Sequence, residues 1–241
     1  MRKYLQASVF HQKRALVQAR QDQIRNPSLT VLLILQVFLL FVALPLDASG
    51  VPIAKPLGFS LLLLALTIVV MLSHRVVAIV GILLGLTATV SSIALGREWS
   101  PVAANVLNHG GAIVVFSALI WVVAHAFYAP GRITFHRLEG AVVVYLSVAM
   151  IFEAAFSLVW ELVPGAFANL PAAPTSPREV ATMLYFSLAT LTTTGYGDIV
   201  PLNPYARSLA NLEAVLGQFY IAITIARLVT LELEDRRRRR E

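Results

Sequence analysis

The segment Thr-Thr-Thr-Gly-Tyr-Gly-Asp occupies residues 192–198, between two long apolar stretches of the chain. Gly195 and Gly197 stand on either side of Tyr196. Glycine adopts left-handed backbone angles without the steric cost that other residues bear, and alternating left-handed angles turn successive carbonyl oxygens to one side. We therefore predict a loop whose successive backbone carbonyls face one side.

A helix-start signal before this loop distinguishes it from an ordinary turn rich in glycine. Ser176 is a suitable N-cap, Pro177 follows at the first helical position, and Glu179 stands three residues after the cap, which is the pattern of a capping box. The pattern predicts a helix from Pro177 to about Leu191. The negative C-terminal end of that helix would favour a cation beside the loop.

The composition places the chain in a lipid bilayer. Hydrophobic residues make up 58% of it and charged residues 13%, and the mean hydropathy is +0.75, outside the range of soluble domains. Six stretches reach the roughly 20 apolar residues that cross the hydrocarbon core as a helix, near residues 28–46, 57–73, 76–96, 104–129, 139–163 and 207–231. The predicted fold is an all-α membrane protein with six transmembrane helices, and a re-entrant helix and loop between the fifth and the sixth.

The distribution of basic residues predicts the orientation. Six lie before the first stretch, one between the second and third, two between the fourth and fifth, and five after the sixth, whereas the opposite side holds only Lys55, Arg97, Arg178 and Arg207. Loops rich in Lys and Arg face the cytoplasm. We therefore expect a multi-pass protein of the cell (inner) membrane with both termini in the cytoplasm.

This asymmetry also accounts for most of the net charge of +6, so nucleic acid is not expected as a partner. Anionic lipid headgroups are the expected partners of the basic tail, which contains Arg236, Arg237, Arg238, Arg239 and Arg240.

Four segments follow from this organisation. Residues 1–26 form a basic cytoplasmic segment, 27–131 a four-helix transmembrane domain, 132–233 a pore domain, and 234–241 a short basic cytoplasmic tail. The fourth helix contains no Lys or Arg, although a voltage sensor needs several such charges in one helix. Conventional voltage gating is therefore not expected. His109 and His125 either titrate near neutral pH or are satisfied by neighbouring groups.

From Glu139 to Leu233 the chain resembles the pore domain shared by potassium channels. The resemblance implies an outer helix, a pore helix, a selectivity filter and an inner helix. It implies K⁺ as the permeant ion with no cofactor, and a filter formed by four copies of the chain, a homotetramer. The filter would consist of Thr193, Thr194, Gly195, Tyr196 and Gly197, with K⁺ bound at the first four.

In the inner helix, the resemblance implies that Gly217 is a bending point. By their spacing from Gly217, the residues expected to line the cavity and gate are Ile221, Ile225 and Val229, with Gln218 or Thr224 as polar contributors. Packing against a neighbouring helix is the alternative for the three apolar residues.

Several positions behind the filter depart from the family pattern. Ala189 stands where an acidic residue partners the aspartate after the filter, so Asp198 loses that partner; Tyr185 can still donate its hydroxyl to Asp198. Phe186 lacks the indole donor that often braces the filter tyrosine, which leaves Thr190 available to Tyr196.

Thr194 replaces the usual Val or Ile and adds a hydroxyl behind the filter. Filter stability and slow inactivation are therefore expected to differ from those of the family.

The function expected is passive potassium-selective conduction, and not catalysis, since no nucleophile and base pair, metal cluster or phosphate loop is apparent. A poorly selective cation channel and a non-conducting regulatory subunit remain alternatives. Glu153, Glu161 and Glu213 should face protein or water, because burying a charge in lipid costs at least about 2.5 kcal/mol. Glu213, one turn before Gly217, could tie the inner helix to the pore helix.

Overall fold

A computed structural model describes residues 29–51, 79–81, 83–85, 87, 90–91, 100–128, 135–170 and 179–238. The predicted N-terminal segment, 1–26, and the second apolar stretch, 57–73, lie outside these residues. So do Ser176 and Pro177 of the predicted helix start.

The described part of the protein is almost entirely helical. Its complete helices are α1 (Leu29–Ala48), α2 (Pro101–Tyr128), α3 (Phe135–Leu162), α4 (Glu179–Leu191) and α5 (Pro204–Arg238). Two short strands, β1 (Phe167–Ala168) and β2 (Val200–Pro201), lie before and after α4. Some residues between 79 and 91 are also helical.

Four of the described helices contain stretches long and apolar enough to cross a membrane. They are Leu29–Ala48, Pro101–His125, Leu138–Leu162 and Pro204–Thr230. They confirm the predicted first, fourth, fifth and sixth stretches. Helix α4 is apolar but has only 13 residues, too few to cross the hydrocarbon core.

Helix starts follow local chemistry. The Ser100 hydroxyl accepts a hydrogen bond from the Ala103 amide at 3.4 Å, with Pro101 at the first position of α2. At the start of α5 the Asn203 side chain accepts the Tyr205 amide at 2.8 Å. Asparagine and serine are favoured caps because their side chains satisfy amides that lack an intrahelical partner.

Helix α1 widens into a π-helical turn over Leu39–Ala43. The Leu44 amide donates to the Leu39 carbonyl, five residues back. Pro45 follows directly, and a proline ring clashes with the carbonyl four residues before it. The wider turn relieves that clash and lets the helix continue to Ala48.

One hydrophobic core joins α1, α2, α3 and α4. Each contributes at least one fully buried or nearly fully buried side chain, for example Leu32, Leu119, Val143 and Leu191. The helices on the two sides of the predicted boundary at residue 131 thus pack together.

A second, aromatic cluster lies between α3, α4 and the segments that contain β1 and β2. Its large members are Phe152, Phe156, Trp160, Phe167, Met183 and Phe186. Strand β1 pairs antiparallel with β2, Phe167 opposite Pro201 and Ala168 opposite Val200. This pairing connects the loop after α3 to the segment that leads into α5.

Helix α5 extends the predicted sixth stretch in both directions. It has 35 residues, which corresponds to about 50 Å at 1.5 Å per residue. A hydrocarbon core of about 30 Å cannot contain it. The helix includes residues 234–238 of the predicted tail, where Arg236 donates to Glu232 at 2.8 Å.

Candidate functional site

The loop after α4 folds back onto the end of that helix. The amides of Thr194 and Gly195 donate to the Ala189 carbonyl at 2.8 and 3.1 Å, and the Thr193 amide donates to the Thr190 carbonyl at 2.9 Å. The last carbonyls of α4 thus gain partners that a helix end otherwise lacks. These loop amides point to the helix, which leaves the loop carbonyls to face elsewhere.

Left-handed backbone angles alternate along the loop. The φ angles are +57° at Thr193, +57° at Gly195 and +80° at Gly197. The sequence predicts this conformation for the two glycines. The sequence does not predict a positive φ for Thr193, since a β-branched residue in that region is strained. The one feature that could have suggested it is that Thr193 stands two residues before Gly195, as Gly195 stands two before Gly197. Every residue from 192 to 198 is exposed in the protomer.

Threonine hydroxyls support the loop from behind. The Thr192 hydroxyl donates to the Leu188 carbonyl at 2.7 Å and lies 2.8 Å from the Thr194 hydroxyl. A hydroxyl has one proton, so Thr194 is the donor to Thr192. The additional hydroxyl of Thr194 is therefore engaged within its own loop.

The Thr190 hydroxyl has a partner within its own helix. It donates to the Phe186 carbonyl at 2.8 Å, a back-bond that threonine commonly forms in helices. Its oxygen can still accept a hydrogen bond, so the expected contact with Tyr196 stays a prediction.

Tyr185 and Asp198 lie together beside the filter tyrosine. The Tyr185 ring stacks on that of Tyr196, with centroids 5.9 Å apart and planes 9° apart. A hydrogen bond to the Asp198 carboxylate raises the pKa of the Tyr185 phenol above its usual value, and desolvation and the charge of Asp198 add to the effect. The sequence suggests this pairing.

Asn169 is a further support that sequence reasoning missed. Its side-chain amide donates to the Asp198 carbonyl at 2.8 Å, and its own φ is +64°. Asparagine tolerates that region better than most residues. No pattern links positions 169 and 198, so only the folded chain brings them together.

Phe186 belongs to the aromatic cluster. Its ring lies 4.8 Å from that of Phe156 and 5.5 Å from that of Phe167, both edge-on. Only 6% of Phe186 is exposed. A phenyl ring therefore fills a space that is apolar on the sides formed by α3 and β1.

At the inner side of the loop, the Gln218 amide donates to the Thr193 hydroxyl oxygen at 3.1 Å. Of the two polar residues expected at the cavity, Gln218 is thus at the loop, whereas Thr224 is buried. Ile221, Ile225 and Val229 are exposed in the protomer and share one helix face at four-residue spacing. That exposure is compatible with cavity lining and with contact to a neighbouring helix.

Gly217 lies where α5 meets the end of α4. A Cβ atom added there would be 2.2 Å from the Leu191 carbonyl oxygen. The helix is continuous through this position. The close packing of α5 against α4 therefore requires glycine at position 217, a role that differs from the expected bending point.

Glu153, Glu161 and Glu213 each contact protein, one of the two environments that the sequence predicts for them. Glu153 accepts from the Ser157 hydroxyl at 3.1 Å, and Glu161 accepts from the Asn105 amide at 3.3 Å. Glu213 contacts the Ser187 hydroxyl, which connects the inner helix to α4.

The two histidines of α2 have different surroundings. His109 is buried, and its Nε2 lies 3.7 Å from a carboxylate oxygen of Glu179, at the start of α4. His125 is exposed, with Nδ1 3.2 Å from the Trp121 carbonyl oxygen. His109 thus connects α2 with α4.

Comparison with known proteins agrees with these observations over part of the chain. An ion channel family model matches residues 140–233. No solved structure matches the chain significantly.

Curated relatives match over part of the chain. Two pore potassium channel c of Oryza sativa subsp. japonica is 36% identical over 90 residues, which is 37% of this chain and 18% of the relative. Potassium voltage-gated channel protein shk-1 of Caenorhabditis elegans is 30% identical over 80 residues, 33% of this chain and 15% of the relative. Inward rectifier potassium channel Kirbac3.1 of Paramagnetospirillum magnetotacticum is 36% identical over 47 residues, 20% of this chain and 16% of the relative.

The matches thus span less than a fifth of each of these relatives. Most of α3, all of α4, the 192–198 loop and most of α5 fall within residues 140–233. Residues 140–233 of this mostly helical protein thus match an ion channel family model, and potassium channels are among the proteins to which the chain is similar.

Proposed function

We propose that the protein is a potassium-selective channel through which K⁺ passes down its electrochemical gradient. The observation that carries the proposal is the alternation of left-handed angles at Thr193, Gly195 and Gly197. Such a backbone presents successive carbonyl oxygens on one side, where they replace the hydration shell of K⁺. The potassium channels among the homologues support the same ion.

The K⁺ ligands in this proposal are the carbonyls of Thr193, Thr194, Gly195 and Tyr196, and the Thr193 hydroxyl. The loop amides that donate to Ala189 and Thr190 are turned away from the ion, so they do not oppose its charge. The C-terminal end of α4 adds a favourable negative potential.

Four copies of the chain would surround the axis, because one loop supplies only a quarter of the ligands. The surface of the protomer supports assembly. The 192–198 loop is exposed. Only 11% of the most apolar part of α5, within Pro204–Thr230, is buried. Apolar side chains of α5 that a neighbour could cover include Leu212, Val215, Leu216, Phe219 and Ile223.

Gating in this proposal does not use a conventional voltage sensor, because α2 contains no Lys or Arg. The channel lies in the inner membrane with both termini in the cytoplasm. The helical end of α5 projects its basic residues beyond the bilayer, where anionic headgroups attract them.

The deciding experiment is the reversal potential of the purified, full-length protein in a planar bilayer with K⁺ opposite Na⁺. We expect a reversal near the potassium equilibrium potential. Gly197→Ala should abolish selective current, because the added Cβ opposes the left-handed angle and moves the carbonyls. Gly165→Ala is a matched control, since Gly165 also has positive φ, +73°, and no atom within 4 Å of an added Cβ.

Two other results would replace the proposal. Current that reverses near zero would indicate a poorly selective cation channel. A protein that assembles and never conducts alone, but alters the current of a related pore, would be a regulatory subunit.

A further inference from the structure

Glu213 is an acidic residue buried at the meeting point of three helices. It lies on α5, with 0% of its surface exposed. Its Oε1 contacts the hydroxyl of Ser187 on α4, and the same hydroxyl lies 2.9 Å from the Ala149 carbonyl of α3. The other carboxyl oxygen, Oε2, has no hydrogen-bond partner within the described residues.

The hydrogens available determine the protonation of this group. The Ser187 hydroxyl has one proton and two neighbours that can accept it, the Ala149 carbonyl and Glu213 Oε1. An ionised carboxylate has no proton to donate. Both contacts are therefore hydrogen bonds only if Glu213 carries a proton and donates it to Ser187 Oγ, while Ser187 donates to Ala149.

The surrounding charges favour the same form. Among the described residues, no ion pair includes Glu213. A buried carboxylate without a cation loses its hydration and receives little in return, whereas the neutral acid loses much less. An unpartnered Oε2 is tolerable on a neutral acid and costly on an anion.

We propose that Glu213 is held as a neutral carboxylic acid and acts as a positioning residue for the filter. This deepens the proposed channel function and rests on it. The donation runs from Glu213 to Ser187 and on to Ala149, and it connects α5, α4 and α3. Ser187 lies two residues before Ala189, whose carbonyl receives the Thr194 and Gly195 amides. The chain of hydrogen bonds thereby holds the end of α4 that supports the filter.

The close contact of α5 with α4 depends on the same group. Gly217 follows Glu213 by one turn and meets the Leu191 carbonyl. Ionisation of Glu213 would remove its donated hydrogen and place an unpaired charge between the helices. The contact at Gly217 would then open, and the filter would lose its support.

Among the described residues, few titratable groups face Glu213. The group on α3 is Tyr145, which interacts electrostatically with the Glu213 carboxyl. The Tyr145 hydroxyl lies 3.4 Å from the Leu191 carbonyl oxygen. Helix α4 presents Ser187; its acidic residue, Glu179, faces His109. Strand β2 consists of Val200 and Pro201 and has no titratable side chain. The neutral tyrosine supplies no positive charge to hold an anion at Glu213.

The first test measures protonation without relying on conduction. Infrared spectra of the full-length protein in lipid near neutral pH should contain a protonated-carboxyl C=O band that shifts in D₂O. Glu213→Gln should remove this band, whereas Glu232→Gln should not, because Glu232 is exposed and paired with Arg236. If Glu213→Gln removes carboxylate bands instead, Glu213 is ionised and the proposal is overturned.

The second test measures positioning through the ratio of K⁺ to Na⁺ permeability. Glu213→Leu has no donor and should lower the ratio by about tenfold, the equivalent of one lost hydrogen bond. Glu213→Gln can donate an amide hydrogen to Ser187 and should restore most of the ratio. We also expect the wild type to lose selectivity as the pH rises and Glu213 ionises, and Glu213→Gln should not show this loss.

Ser187→Ala preserves α4 and removes the hydroxyl that connects Glu213 to Ala149. It therefore tests the positioning role if Glu213→Leu does not assemble. Unchanged selectivity in Ser187→Ala, or in an assembled Glu213→Leu protein, would overturn the positioning role. If the wild type is itself unselective, the proposed function fails, while the infrared result still decides the protonation of Glu213.

Discussion

At the scale of single residues, Asp198 is supported differently from what a family pattern would suggest. Ala189 has no carboxyl group to share with it; the Tyr185 phenol interacts with the Asp198 carboxylate instead, and the Asn169 amide donates to the Asp198 backbone carbonyl. The Tyr185 ring also stacks on Tyr196. One tyrosine therefore has both a polar and an aromatic contact with the 192–198 loop.

Tyr185→Phe should weaken the filter and accelerate slow inactivation, because it keeps the stacked ring and removes the donor to Asp198. The hydrogen bond raises the pKa of Tyr185 above the ordinary 10.0. The neutral phenol is thus the stabilised form, and its contribution is fully present below pH 10.0 and lost as pH rises through the raised pKa.

The measurement is the inactivation time course of both proteins near neutral pH and in strongly alkaline solution. The wild type and Tyr185→Phe should differ at neutral pH and converge at alkaline pH. Equal inactivation at neutral pH would show that the phenol does not support the filter.

At the scale of helices, the contact between α5 and the end of α4 is the closest approach beside the filter. The Leu191 carbonyl would lie 2.2 Å from a Cβ at position 217. The Leu191 carbonyl belongs to the backbone and cannot move aside as the end of a flexible side chain can. Gly217→Ala must therefore move one helix away from the other, and we expect a loss of about 1–3 kcal/mol, as for other overpacked sites.

The control is Gly110→Ala in α2, where an added Cβ meets no atom within 4 Å. There the change should stabilise the helix by up to about 1 kcal/mol, because alanine has the higher helix propensity. Thermal unfolding in lipid or detergent and the K⁺ flux of both variants measure the difference. Gly217→Ala behaving like Gly110→Ala would disprove the packing requirement.

At the scale of the whole molecule, the orientation can be tested because the chain contains no cysteine. Ser49, after α1, and Arg237, at the end of α5, are both exposed. With both termini cytoplasmic, a membrane-impermeant maleimide should label Ser49→Cys on intact cells. It should label Arg237→Cys only after the membrane is permeabilised. The reverse pattern would invert the topology.

Much of this architecture follows from local properties of the chain. The membrane class and the positions of four spanning helices depend on runs of apolar residues, and the left-handed angles at Gly195 and Gly197 depend on the absence of a side chain. The capping of α2 by Ser100 is equally local. Such features can be read without knowledge of the neighbours, because each involves residues adjacent or nearly adjacent in the sequence.

Contacts between distant residues were decided by the tertiary structure. Ser187 meets Glu213 across 26 positions and Ala149 across 38, and Asn169 meets Asp198 across 29. The sequence suggests that Glu213 connects two helices. It does not indicate that the partner is the Ser187 hydroxyl, or which of the two groups supplies the proton. These pairings depend on how the helices rotate and approach one another, which hydrophobic pattern alone does not specify to within a hydrogen-bond length. The sequence by itself therefore determined the apolar helices of membrane-spanning length and the left-handed glycines of the 192–198 loop, and only the packing of α3, α4 and α5 decided which groups hold that loop in place.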